Sequence, residues 1–308
     1  MDVRVLRYFL AIAQERSISH AAQVLHVSQP ALSRQMHDLE TELGTKLFDR
    51  GPREIKLTQD GHYLRERANE IVTLVDKTAF NLQSNQVIIS GRLDIGAGES
   101  VGMQRIMDVI SHILKDYPEV HIRLHSGDFG DVAAKLDAGV LDFGVIMGEQ
   151  PLQQYNTLRL PEVDHWGVLM PVHARLATQT VIHPADLLGQ PLIISEQALM
   201  QSRFLDWWGN LGEQMNIVGT YNLIFNAALL AKNGSGYTLA FEHLIDTSKN
   251  SKLTFRRLAP EVTDPITIIW KKNQTLSNVA QLFLHRLQAT IKRPNHNHPW
   301  NGWFAPGL

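Results

Sequence analysis

The first ninety residues carry apolar side chains at helical spacing, separated by short polar turns. The first stripe consists of Leu6, Phe9, Leu10 and Ala13, whose steps of three and four predict an amphipathic helix. Ser19 precedes a second short helix as a candidate N-cap. Ser28 is the candidate cap of a third helix, and Pro30 falls in its first turn, where a missing N–H removes no hydrogen bond. Two short helices joined by a tight turn predict a helix-turn-helix.

The predicted helix from Ser28 to Leu43 has two distinct faces. Its apolar stripe, expected to pack inward, is Leu32, Met36, Leu39 and Leu43. Its polar stripe is Gln29, Ser33, Arg34 and His37. A helix that exposes Gln, Ser and Arg near its start can enter a major groove, where Gln reads adenine and Arg reads guanine or binds a phosphate. The alternative is an amphipathic helix whose polar face contacts only water, and it explains the same pattern of residues equally well.

A short hairpin, or wing, is predicted where residues 46–57 alternate around Gly51 and Pro52. Its basic residues are Lys46, Arg50, Arg53 and Lys56, against Asp49 and Glu54. Arg53 at the tip is placed to enter a narrow minor groove. This local excess of positive charge matters because the whole chain has a net charge of −2 and a pI of about 6.7, so bulk charge predicts no nucleic-acid partner.

Thr58 is the candidate cap of a long helix. The apolar stripe of this helix is Leu64, Ala68, Ile71, Val75, Thr78 and Leu82, which is the spacing of a coiled-coil seam. The helix either lies on its own domain or pairs with a partner helix. Its length beyond the compact helical part favours a partner.

From Arg92 onward, predicted strands alternate with helices. The predicted strands are 93–96, 120–125, 142–146, 166–170, 191–194 and 237–241, and the clearest helices are 103–117 and 132–138. Such alternation is typical of parallel α/β units, and its extent suits two small lobes with a cleft between them.

Composition narrows the classes of function. Hydrophobic residues make up 44% of the chain, which excludes general disorder. The absence of cysteine excludes disulfides, thiolate metal sites and cysteine nucleophiles, and suits a cytoplasmic location. No apolar run is long enough to cross a membrane. The fourteen histidines lack metal-ligand spacing, and no P-loop, G-x-S-x-G or H-E-x-x-H motif occurs, so we expect no metal, no cofactor and no enzymatic activity.

Several motifs together carry a family resemblance. They are Leu6-Arg7-Tyr8-Phe9, Ser19-His20-Ala21-Ala22, the run 27–35, Leu47-Phe48-Asp49-Arg50 and the run 57–61. In order and spacing they resemble LysR-type transcriptional regulators. The resemblance implies an α+β protein with an N-terminal winged helix-turn-helix, a long dimerising linker helix and a two-lobed α/β effector domain like periplasmic binding proteins. It also implies that Gln29, Pro30, Ser33 and Arg34 face the major groove, with Arg50 and Arg53 in the wing.

The same resemblance implies boundaries and partners. We expect the winged domain at 1–58, the linker helix at 59–90 and the effector domain at 91–293. Lobe I would comprise about 91–163 and 264–293, and lobe II about 164–263. Independently of the resemblance, residues 294–308 are rich in Asn, His, Pro and Trp without periodicity, which favours a disordered tail over a metal site at His296 and His298. The implied partners are double-stranded DNA at an interrupted palindrome, a small-molecule effector, further copies of the chain in dimers or pairs of dimers, and RNA polymerase.

Candidate effector-binding residues follow from the loops at strand ends. The corner from Gly96 to Gly102 is glycine-rich, but its G-x-G-x-x-x-G spacing and the absence of an acidic residue at the end of the next strand disfavour a dinucleotide site. The family layout places Ser100 at the start of the first effector-domain helix. The remaining candidates are Asp128 and Phe129, Met147 and Glu149 in lobe I, and Ser195, Phe225 and Asn226 in lobe II. Core packing is the alternative role for the two phenylalanines.

Charge in this cleft suggests an effector class. Asp128 and Glu149 would disfavour an anion, so a neutral or cationic metabolite is the hypothesis, although Arg203 could reach in from a helix. The alternative to a regulator is a small-molecule receptor or an α/β enzyme whose N-terminal helices serve assembly only. Salt-sensitive binding to duplex DNA discriminates the two.

Overall fold

A computed structural model describes residues 1–50, 55–83, 89–248 and 250–292. The chain forms two compact units; the described residues up to 83 belong to the first, and the second begins at Ile89. Arg53 at the predicted wing tip and the predicted disordered tail at 294–308 lie outside the described residues.

The first unit is a winged helix-turn-helix, as predicted. Its elements are α1 (Val3–Glu15), α2 (Ile18–Val24), α3 (Gln29–Leu43), β1 (Phe48–Arg50), β2 (Ile55–Leu57) and α4 (Gln59–Gln83). Strands β1 and β2 pair antiparallel, with Phe48 opposite Leu57. The core brings together Phe9 of α1, Leu32 of α3 and Ala68 of α4, all fully buried.

Side-chain caps define where these helices begin. The Ser28 hydroxyl accepts a hydrogen bond from Ala31 N at 3.4 Å, and the Thr58 hydroxyl accepts one from Gly61 N at 3.0 Å, so both predicted caps are confirmed. The prediction for α2 was wrong: Ser17, not Ser19, accepts a bond from His20 N, because the helix already begins at Ile18.

The predicted inward stripe of α3 ends one residue too late. Leu32, Met36 and Leu39 are buried, whereas Leu43 is 40% exposed. Leu43 is the last residue of the helix before Gly44, which has a φ of +69° and ends it. The chain therefore leaves the domain core before Leu43 can reach it.

Helix α4 divides its apolar stripe between two environments. Leu64 and Ala68 are buried in the core of the first unit. Further along, Val75 is 38% exposed and Leu82 is 79% exposed. Packing on its own domain therefore accounts for the start of the stripe only.

The second unit is a mixed α/β structure. Its elements are β3 (Gly91–Ala97), α5 (Met103–Asp116), β4 (Val120–Ser126), α6 (Phe129–Asp137), β5 (Phe143–Met147), β6 (Tyr155–Pro171), β7 (Val181–Ile182), β8 (Pro191–Ser195), α7 (Glu196–Met200), α8 (Leu205–Trp208), β9 (Asn216–Tyr221), α9 (Ile224–Lys232), β10 (Tyr237–Phe241), β11 (Leu253–Leu258), β12 (Thr263–Lys271) and α10 (Asn278–Lys292). Strand β3 is parallel to β4 and β5, and β8 is parallel to β9 and β10, as the alternation predicts.

Strands β6 and β12 pair antiparallel with all their neighbours, and both carry the chain from one lobe to the other. Strand β6 is 17 residues long. Its first part pairs antiparallel with β12, and its last part, from Trp166, pairs antiparallel with β10 and β11. Asp164 of β6 lies opposite Asp264 of β12 where the strand passes between the two sheets.

Each lobe has its own apolar core. One core contains Phe143 and Phe283 between the lobe I sheet and helices α5 and α10. The other contains Trp166 and Phe204 of lobe II. The loops at the carboxyl ends of the parallel strands are thereby held on packed scaffolds, where α/β proteins bind ligands.

Candidate functional site

The outer face of α3 is open to solvent. Gln29, Pro30 and Arg34 are exposed and Ser33 is half-buried. Directly behind them, Leu32 and Met36 are buried in the core. The helix therefore presents its polar residues on a face that its apolar residues fix in place.

The Arg34 side chain has no partner in the part of the chain that the structure describes. By contrast, other arginines of this unit are paired: the Arg7 guanidinium bonds to Asp76, and Arg67 to Glu70 at 2.8 Å. A guanidinium held on a rigid helix without an internal partner can bind a phosphate or the acceptor edge of guanine.

The wing is anchored to α3 through Glu40. Its Oε1 atom accepts bonds from Leu47 N at 2.8 Å and Phe48 N at 3.3 Å. Arg50 is the last residue of β1, and Arg53 lies outside the described residues. The assigned roles of both arginines stay predictions.

The second unit contains a cavity of about 290 Å³ between its two lobes. Three predicted residues line it: Asp128 and Met147 from lobe I, and Ser195 from lobe II. Asp128 also accepts a bond from Asp131 N at 2.9 Å at the start of α6. The Ser195 hydroxyl caps α7 by accepting from Ala198 N.

Lobe I places three predicted residues outside the cavity lining. Ser100 is buried, and its hydroxyl accepts a hydrogen bond from Gly102 N at 3.1 Å, so its hydrogen bonding is internal to the domain. Phe129 packs against the buried apolar cluster that includes Val132 and Leu136 of α6. The Glu149 side chain is 83% exposed and lies 3.8 Å from Arg159 on the surface.

In lobe II, the helix after the cavity loop begins earlier in the chain than predicted. Helix α9 begins at Ile224, which places Phe225 and Asn226 on its exposed face, with Phe225 65% exposed. Tyr221, Asn222 and Ile224 line the cavity instead. The prediction placed the helix start too late, because the short apolar run carries no cap signal.

Sequence reasoning also missed several residues at the cavity. These are Glu99, Glu196, Trp166, Tyr221, Phe241 and Asp264. Glu99 lies within the glycine-rich corner and Glu196 follows Ser195, so proximity in sequence could have indicated both. Trp166 and Asp264 come from β6 and β12, whose pairing no local pattern reveals.

Glu99 joins the two lobes. Its Oε2 atom accepts a bond from Ile224 N, the first residue of α9, at 2.6 Å. Burial raises the pKa of Glu99, and the bond from Ile224 opposes that rise. Burial and the nearby Glu99 also raise the pKa of Tyr221, whose hydroxyl donates to Leu239 O at 2.8 Å.

Asp264 is the centre of a polar group at the floor of the cavity. Its carboxylate accepts bonds from Arg203 Nε at 2.5 Å and Trp166 Nε1 at 2.9 Å. Arg203 donates a further bond to Thr263 O at 2.7 Å. Arg203 therefore reaches the cleft from the turn between α7 and α8, not from a helix as the sequence suggested, and Asp264 already balances its charge there.

Asp164 lies beside this group and is fully buried. Its Oδ1 atom accepts a bond from Val101 N at 3.0 Å. Burial raises the pKa of Asp164 to about 7, bonds from Ser100 and Val101 oppose the rise, and the charge of Asp264 adds to it. Near neutral pH this carboxyl group is therefore only partly charged.

The described ranges contain neither a candidate metal site nor a candidate membrane span. No three His, Asp or Glu side chains there come together as metal ligands. None of the helices in the same ranges has the length and apolar character to cross a bilayer.

Two protein-family models match this chain. Residues 3–62 match the bacterial regulatory helix-turn-helix protein of the lysR family, and residues 89–292 match the LysR substrate binding domain. Both describe parts of transcriptional regulators, so the alternative of an enzyme with assembly helices is set aside.

Individual proteins support the same assignment. A probable RuBisCO transcriptional regulator from Synechocystis sp. is 29% identical over 290 residues, covering 92% of this chain and 84% of its own. The structure of CbnR in complex with its target DNA superposes with a TM-score of 0.76 at 20% identity, over 94% of this chain and all of that chain. HinK, a LysR family regulator from Pseudomonas aeruginosa, gives 0.56 at 24% identity, over 94% and 98%. These two structures show a shared fold.

Proposed function

The chain belongs to the LysR family of transcriptional regulators, and we propose how its own residues carry out that role. It combines a helix-turn-helix DNA-binding domain with a substrate-binding domain, and is thus an effector-responsive regulator. In our proposal, Gln29, Pro30, Ser33 and Arg34 read the operator in the major groove. The observation that carries this is the outer face of α3, where Arg34 is exposed and unpartnered within the described structure.

The wing supplies affinity without sequence preference in this proposal. Arg50 binds a backbone phosphate, and Arg53 enters the adjacent minor groove. Basic side chains beside a reading helix neutralise phosphates and so make affinity depend on salt. Exposed Lys46 and Lys56 on the same hairpin support this placement.

We propose self-association through two surfaces. The first is the exposed part of the α4 stripe, ending at Val75, Thr78 and Leu82. The second is on the effector domain, where Val218 of β9 and Phe225 and Leu229 of α9 are 54%, 65% and 47% exposed. Exposed apolar groups in rows are typical of protein interfaces. Dimers, or pairs of dimers, would place two α3 helices on an interrupted palindrome.

In this proposal, the protein acts in the cytoplasm and the effector binds in the cavity between the lobes. Binding favours one arrangement of the assembled dimers over another, because a ligand shifts an equilibrium by its differential affinity for the two states. That change alters the bend of the DNA and contact with RNA polymerase.

Binding to DNA from the protein's own promoter region, with random competitor and across a salt series, tests the proposal. We expect protected sites spaced by helical turns and a steep decrease of affinity with salt. Binding no better than to competitor would contradict the operator-reading role.

The Arg34→Ala variant sharpens this test. It should weaken operator binding and reduce discrimination between bases by about 1–3 kcal/mol if the contact is bidentate. Arg159→Ala is the matched control, because it removes an exposed arginine of the second unit. Equal affinities of Arg34→Ala and the unmodified protein for the operator would remove Arg34 from the reading face.

A further inference from the structure

The starts of three helices near the cavity are already occupied by carboxylates of the chain itself. Glu99 accepts from Ile224 N at the start of α9, and Asp128 accepts from Asp131 N at the start of α6. Asp164 accepts from Val101 N just before α5. Helix N-termini are the usual binding points for anionic ligands. An anionic effector at any of these three helix starts would have to displace the carboxylate there.

The charged lining is predominantly acidic. Glu99, Asp128, Glu196 and Asp264 line the cavity, against one cation, Arg203. Arg203 is neutralised by Asp264. In the part of the chain that the structure describes, no basic side chain forms an ion pair with Glu99, Asp128 or Glu196. The cavity therefore retains uncompensated negative charge.

Aromatic rings form part of the same wall. Trp166, Tyr221 and Phe241 line the cavity, and the rings of Trp166 and Phe241 lie 4.2 Å apart between centroids. Trp166 donates its N–H to Asp264, and Tyr221 donates its hydroxyl to Leu239 O. Tyr221 and Phe241 are only partly buried, so their rings contribute surface that attracts cations, with the buried Trp166 packed behind Phe241.

We propose that the effector is a small organic cation whose ammonium group binds between Glu99 and Asp128, against the aromatic wall. This inference rests on the proposed function, in which this cavity is the effector site. The volume of about 290 Å³ suits a small molecule. Carboxylates and rings together stabilise an ammonium group by charge and by cation–π attraction.

Burial of Glu99 supports the same ligand class. Because burial raises its pKa, its negative charge is incompletely compensated by the Ile224 N–H. A cation in the cavity would supply the missing compensation, whereas an anion would add to the repulsion.

Calorimetric titration of the full-length protein with three probes of one shape tests the charge preference. The probes are 2-phenylethylamine, 2-phenylethanol and phenylacetate, which are cationic, neutral and anionic near pH 7. We expect the amine to bind about tenfold or more tightly than the alcohol, and phenylacetate not to bind. Equal or tighter binding of phenylacetate, or no binding of the amine up to about 10 mM, would overturn the proposal.

Isosteric variants locate the ammonium group. Glu99→Gln retains an oxygen that can accept from Ile224 N, and Asp128→Asn retains one for Asp131 N, so each removes charge while keeping the helix contact. Each should weaken amine binding about tenfold. Glu213→Gln, an exposed position outside the cavity, is the control. Unchanged amine affinity in both cavity variants would overturn the proposal.

Operator binding, measured in parallel, separates this inference from the function on which it rests. DNA binding without amine binding refutes the cationic effector while the regulator proposal stands. Amine binding without DNA binding refutes operator reading by α3 while the cavity's charge preference stands.

Discussion

Asp164 gives a quantitative prediction about how stability depends on pH. Its carboxyl group is fully buried, and its pKa is raised from 3.8 to about 7, first by burial and then by the charge of Asp264. Between these two values the folded protein retains a proton that the unfolded chain releases. Stability from this group is therefore greatest below pH 4, decreases as pH rises through the window, and levels off above pH 7.

The change in the free energy of unfolding follows from the size of the pKa shift of Asp164. A displacement of roughly three pKa units corresponds to ~4 kcal/mol between the two ends of the window. The Asp164→Asn variant cannot lose a proton there, and its side-chain oxygen can still accept from Val101 N. We therefore expect its pH profile to be flatter, and the variant to be more stable than the unmodified protein at pH 8.

Thermal unfolding of the full chain from pH 5 to pH 8 measures this difference. Tryptophan fluorescence is the suitable signal, because every tryptophan in the sequence lies beyond residue 160. Asp206→Asn, which neutralises an exposed aspartate, is the control and should leave the profile unchanged. Parallel profiles of Asp164→Asn and the unmodified protein, or lower stability of the variant at pH 8, would refute the reasoning.

Three further changes test other regions. Arg50→Ala should weaken binding to operator and random DNA alike and reduce the salt slope by about one, and a loss confined to the operator would contradict a phosphate contact. Leu82→Glu should shift the sedimentation-velocity profile towards smaller species, because it puts a charge on the apolar α4 stripe at a side chain that is 79% exposed. The exposed control Glu66→Gln should leave the profile unchanged. An unchanged profile for Leu82→Glu would remove Leu82 from the interface. Gly61→Ala should lower the free energy of unfolding by about 1–3 kcal/mol, because a Cβ there overlaps the Leu47 carbonyl oxygen. Urea denaturation measures this, with Gly219→Ala, which meets no atom within 4 Å, as control, and equal midpoints would count against the overlap.

The winged domain could be predicted closely because its determinants are local. The cap at Ser28 and the stripe through Leu32 and Met36 act within a few residues, and β1 and β2 pair close together along the chain. The errors in this domain are also local: Ser17 and Ser19 are both plausible caps, and only the position where the helix begins decides between them.

The effector cavity could be predicted only in outline. Alternation of strands and helices indicates which loops meet at the strand ends, and it placed Asp128, Met147 and Ser195 near the cleft. It cannot show the direction in which β6 and β12 pair. Asp164 and Asp264 are a hundred positions apart in sequence, and only their register brings them together.

The pairing of β6 with β12 also places residues of both strands at the cavity. Asp264 belongs to β12 and Trp166 to β6, and their hydrogen bond lies at the cavity floor where β6 passes from one sheet to the other. Arg203 of lobe II bonds to the same carboxylate. A ligand that contacts Trp166 or Arg203 therefore perturbs a hydrogen-bond group held jointly by both lobes. Hinge closure in other proteins moves packed lobes as rigid bodies, so we expect a change at this point to alter the angle between the two lobes.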